Sequence, residues 1–111
     1  MEFNWNTKEN KQLIEAIVSL ETSEEAKCFL RDLMTSGELK EFAKRLKTAE
    51  MLTNKVPYSI IERETGFSST TVARVSKWLN NGKGGYKDMI SKIHHHHSQK
   101  QIGKGLSLHK Y

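Results

Sequence analysis

One glycine, Gly66, separates two short helical patterns, "YSIIERET" (58–65) and "SSTTVARVSKWL" (68–79), and no other stretch restricts the fold as much. Pro57, the single proline, disfavours a helical conformation in Val56 before it and suits the start of the next helix. Gly66 supplies the left-handed residue with which helices commonly end. Counting Tyr58 as the first of twenty positions, the turn glycine is ninth. Ile61 is then fourth, Phe67 tenth, Val72 fifteenth and Val75 eighteenth. Those are the apolar positions that two short helices need to share a small core at a steep angle, the outline of a helix-turn-helix. Two positions depart: Glu62 stands where a small residue is usual, and Thr65 where an apolar one is.

The first 55 residues read as three further helices. Thr7 precedes a helix carrying Leu13, Ile14, Ile17, Val18 and Leu20 at helical spacing. Thr22 with Glu25, and Thr35 with Glu38, have the form of capping boxes. They open helices striped by Ala26, Phe29, Leu30 and Leu33, and by Leu39, Phe42, Leu46, Ala49 and Leu52. Cys28 reads as a small buried apolar residue, without a partner for an internal disulfide. Beyond the helix-turn-helix, "NNGKGG" (80–85) is a hinge and Tyr86 to about His95 a sixth, shorter helix. The expected fold is all-α, with residues 1–96 as the folded domain and 97–111 as a disordered basic tail.

Charge and hydroxyls give this outline a use. Residues 1–56 carry 9 Lys/Arg against 10 Asp/Glu, whereas residues 57–111 carry 9 against 3, so the basic excess lies in the half with the helix-turn-helix. Such a surface attracts phosphate backbones. Four consecutive hydroxyls, Ser68, Ser69, Thr70 and Thr71, open the second helix, although one suffices as an N-cap. In a helix-turn-helix this end enters the major groove, where hydroxyls bond base edges directly or through water. Ser69, Thr70 and Thr71 are expected to face bases, and Arg63 and Lys77 phosphates. Arg74 suits either the DNA or an internal site. A helix-turn-helix that binds another protein, with no DNA specificity, is the alternative.

Three segments, "TSGELKEFAKRLKTAEML", "YSIIERETGFSSTTVARVSKWL" and "NNGKGGY", carry a more specific signal. Over roughly residues 10–92 the chain resembles the Trp repressor superfamily, in particular its Trp-repressor-related bacterial branch. The resemblance implies a six-helix fold in which two chains interlock, and a repressor binding a palindromic operator as a homodimer. Trp repressors hold L-tryptophan between two arginines, which by position match Arg45 and Arg74. Val75 stands where the repressor has glycine and Trp78 where it has serine. Both add bulk to the pocket, which implies a regulator that requires no L-tryptophan and is either constitutively competent or answers a different small effector.

Other chemistries find little support. No run approaches the roughly 18 apolar residues of a membrane span, and the N-terminus lacks the regions of a secretory signal, so a cytoplasmic protein is expected. "NGKGG" lacks the Walker spacing. The serines have no evident base, so no enzyme activity is expected. Consecutive histidines, His94 to His97, cannot present a tetrahedral site from one helix end, and no metal is assigned to them. The partners expected are double-stranded DNA and a second copy of the chain.

Overall fold

The computed structural model describes the backbone of residues 2–106 and the side chains of residues 2–95. Six helices, and no strand among the described residues, follow in order: α1 (Lys8–Val18), α2 (Ser23–Leu33), α3 (Ser36–Thr53), α4 (Tyr58–Thr65), α5 (Ser69–Asn81) and α6 (Gly85–Leu106). The caps form where the sequence places them. Thr7 accepts the Asn10 N–H, and Thr22 the Glu25 N–H. At α3 the box closes in both directions: Glu38 N–H donates to Thr35 Oγ1 at 3.1 Å, and Thr35 N–H to Glu38 Oε1 at 2.9 Å.

The chain divides into two compact units, residues 1–40 and 41–111. In the first, no described residue is buried. Ile14, Ile17 and Val18 of α1 and Leu33 of α2 remain exposed, although their spacing is that of a core-facing stripe. Cys28 is exposed, against the expectation of burial. Its position explains this, because it is two residues after Ala26 and falls on the far side of the helix from the Ala26–Phe29–Leu30–Leu33 stripe.

The second unit holds the buried core, in two clusters. Ala49, Val75, Leu79 and Ile90 form one, and Met51, Ile61 and Val72 the other. Leu52 of α3 packs against both. Each fully buried aliphatic side chain contributes roughly 1.5–3 kcal/mol, so Ile61, Val72 and Val75 fix α4 and α5 against α3 and α6.

Helix ends within this unit set the angles. Val56 N–H reaches Met51 C=O and Lys55 N–H reaches Leu52 C=O, both at 3.0 Å, so α3 ends in a Schellman motif. Met51 and Val56 pack in one cluster, the apolar contact that accompanies such ends. Lys55 occupies the left-handed position, φ 65°. Gly66 does the same after α4 at φ 80°. The hinge is shorter than expected, since α5 runs to Asn81 and α6 begins at Gly85. Gly82 caps α5, and a Cβ there would collide with the Trp78 carbonyl oxygen.

The far end differs from the sequence expectation. Helical backbone continues past His95 to Leu106, so the sixth helix is longer than expected and runs into the segment expected as a tail. "SQKQI" contains no helix breaker, and the first glycine after it is Gly103. Residues 107–111 of that expected tail lie outside the described residues.

Candidate nucleic-acid interface

Helix α5 is amphipathic in a way that sorts the predicted site residues. Val72, Val75 and Leu79 are buried, while Ser69, Thr70, Ala73, Arg74 and Lys77 are exposed. Ser69, Ala73 and Lys77 stand four residues apart, as do Thr70 and Arg74, so the exposed five share one face. Arg63 is exposed on α4. None of Arg63, Arg74 and Lys77 has an ion pair or hydrogen bond among the described residues. Three cations beside two hydroxyls, all without internal partners, suit a polyanion.

The four hydroxyls that open this helix divide their work. Ser68 is the N-cap, its Oγ accepting the Thr71 N–H at 3.2 Å. The hydroxyls of Ser68 and Thr71 lie 3.2 Å apart, and Thr71 is half-buried. Thr71, expected to face bases beside Ser69 and Thr70, also joins the cap. Helix period is the reason: Thr71 adjoins Val72 at the edge of the buried face.

Thr65, the polar departure from the helix-turn-helix pattern, is buried and satisfied. Its Oγ1 donates to Ile61 C=O at 2.7 Å and accepts the Phe67 N–H at 3.1 Å. The hydroxyl thereby ties the end of α4 to the turn, which an apolar residue cannot do.

The arginines expected to flank an effector part company. Arg74 is exposed to solvent, while Arg45 of α3 is half-buried with two aromatic rings nearby. Its guanidinium carbon is 5.1 Å from the centroid of Phe42 and 5.4 Å from that of Trp78, and its Nε is 3.6 Å from Glu41 Oε2. Val75 is fully buried in the core, whereas Trp78 keeps 40% of its surface exposed. Tyr86 packs beside them, and burial raises its hydroxyl pKa against the opposing charge of Arg45.

Two contacts had no warning in the sequence. Lys44 Nζ lies 5.9 Å from the Phe67 ring centroid. His94 Nε2 meets Glu50 Oε2 at 3.2 Å, joining α6 to α3 across 44 residues of sequence. The Glu50 carboxyl is held below its ordinary range, chiefly by the hydrogen bond from Lys47 and then by that with His94. A cation or imidazole meeting its partner over such a separation leaves no periodic signal. Among the described residues no three potential ligands gather around a metal position, and the side chains of His96 and His97 lie outside them. No described helix is long and apolar enough to cross a membrane.

Residues 8–94 match the model of the Trp repressor protein family. The chain belongs to that family. It is 40% identical over 86 residues to the uncharacterised protein YerC of Bacillus subtilis (strain 168), covering 78% of this chain and 83% of YerC. A TrpR-like protein from Eubacterium eligens ATCC 27750 has the same fold, with a TM-score of 0.76 at 34% identity, over 80% of this chain and 92% of that one. A solved chain from Staphylococcus aureus superposes with a TM-score of 0.75 at 31% identity, over 80% and 89% of the two chains. The family assignment supports a helix-turn-helix regulator of the DNA-binding kind.

Proposed function

We propose that the chain is a sequence-specific DNA-binding transcriptional regulator, a repressor acting from the cytoplasm, which reads a palindromic operator as a homodimer. The observation that carries this is the exposed face of α5: Ser69, Thr70, Ala73, Arg74 and Lys77 are turned outward by a buried face opposite, and the cations have no internal partner. On this reading Ser69 and Thr70 approach base edges, the Ala73 methyl can meet a thymine methyl, and Arg63 and Lys77 hold phosphates. Ser68 and Thr71 act by fixing the start of the helix. Repression follows from occupying a site that overlaps a promoter, and needs no catalysis.

The second copy is supported by the first unit. A unit with two apolar stripes and no buried side chain among its described residues suits a partner surface supplied by a second chain. Two recognition helices on a two-fold axis would read half-sites about 34–36 Å apart.

No tryptophan is required on this reading. Val75 and Trp78 supply bulk at the pocket that the family resemblance implies, and Arg45 already stacks on an indole of its own chain. L-tryptophan is therefore expected to give no binding heat at micromolar concentrations in calorimetry, and a micromolar affinity would overturn that part.

The experiment for the whole reading is selection of sheared genomic DNA by the purified protein near physiological salt, followed by sequencing. A Ser69→Ala/Thr70→Ala/Arg74→Ala variant runs in parallel. Enrichment of a palindrome by the parent and not by the variant supports the proposal. No enrichment, together with a tight protein partner in a pull-down, supports an interaction module instead.

A further inference from the structure

The consecutive cations of α3, Lys44 and Arg45, each lie over an aromatic ring, and the two rings belong to opposite ends of the recognition helix. Phe67 immediately precedes the Ser68 cap, and Trp78 is in the last turn of α5. The stretch between them is about 15 Å long at the helical rise. One turn further along α3, Ala49 packs with Val75 and Leu79 in the core. Helix α3 therefore shares two core clusters with α5, Ala49 with Val75 and Leu79 and Met51 with Val72, and adds a cation near either end.

We infer that Lys44 and Arg45 are positioning residues for DNA recognition, holding the tilt of α5 through cation–π contacts with Phe67 and Trp78. This rests on the DNA-binding reading above. Val72, Val75 and Leu79 form a line along α5, and a helix held only along such a line can rock about it. Trp78 is at the flank of that line and partly exposed, so a contact there resists rocking with a lever arm. Base readout tolerates little tilt, since recognition groups must be held within roughly 0.5 Å and 10–20°. Arg45 is not placed as a phosphate contact, because its guanidinium lies near two rings and its Nε near the Glu41 carboxylate.

The test measures binding of the selected duplex over a salt series for the parent, Lys44→Met, Arg45→Met, Trp78→Leu, the Arg45→Met/Trp78→Leu double variant and Arg45→Lys. Each single loss is expected to weaken binding about three- to tenfold. The double variant should bind no more weakly than the weaker single, the salt slope should match the parent, and Arg45→Lys should regain part of the affinity. In a Trp5→Phe background Trp78 is the sole tryptophan, and Arg45→Met should shift its fluorescence emission. Unchanged affinity, additive losses in the double variant, an unshifted emission, or a salt slope lowered by about one per arginine removed would overturn the inference. A parent that binds no duplex at all overturns the DNA-binding reading and this inference together, whereas a parent that binds as tightly as its variants overturns this inference alone.

Discussion

Lys55 is the one described non-glycine residue with a left-handed backbone, in a motif whose other parts are all present. The conformation costs an L-residue roughly 1–2 kcal/mol, and glycine escapes that cost while losing more chain entropy on folding. Lys55→Gly is therefore expected to raise stability by roughly 0.5–1 kcal/mol, read as a higher midpoint in urea. Glu50 makes a second residue-scale prediction. Its folded pKa is below the ordinary value near 4.5, so its pairing with Lys47 and His94 stabilises the fold fully above that value. The contribution fades as pH falls through the lowered folded pKa. The difference in melting temperature between the parent and Glu50→Gln should shrink as the pH falls through the lowered folded pKa of Glu50.

At the scale of elements, the α4–turn–α5 unit depends on backbone groups satisfied by side chains. Thr65→Val keeps the shape and removes both hydrogen bonds of the hydroxyl, stranding the partly buried Phe67 N–H. The expected cost is about 1–3 kcal/mol by denaturant titration, and Thr65→Ser should recover most of it. Thr35→Ala opens the α3 capping box and is expected to cost about 1 kcal/mol. These elements were legible because each obeys a local rule: a hydroxyl three residues before a carboxylate, a proline at a helix start, a glycine after α4. The exposure of Ser69, Thr70, Arg74 and Lys77 was legible too, since helical period alone puts them opposite Val72 and Val75. The contact of Thr71 with the Ser68 cap was not legible, because a residue at the edge of a face is assigned by which neighbour its hydroxyl finds.

For the whole molecule the decisive asymmetry is between a first unit without a buried side chain and a second with two core clusters. If a second copy covers the first unit, folding and association are coupled and the melting temperature must rise with protein concentration. A melting temperature independent of concentration over two decades, with a monomer in sedimentation, would remove the homodimer from the proposal.

The sequence by itself determined the six helices, the places where five of them start, and which side of α5 faces outward. Those properties follow from contacts within four residues, from capping and from period. It also carried the family, through three segments that resemble it, and the family model matches residues 8–94. Tertiary structure alone decided that Arg45 lies near both the Phe42 and the Trp78 rings while Arg74 has no partner among the described residues, that Lys44 reaches Phe67, and that Glu50 meets His94. Each joins residues at least 23 apart in the chain, apart from the Phe42 contact on the same helix. Pairings at that separation depend on how helices cross, and helix crossing is set by the shared core rather than by any local pattern.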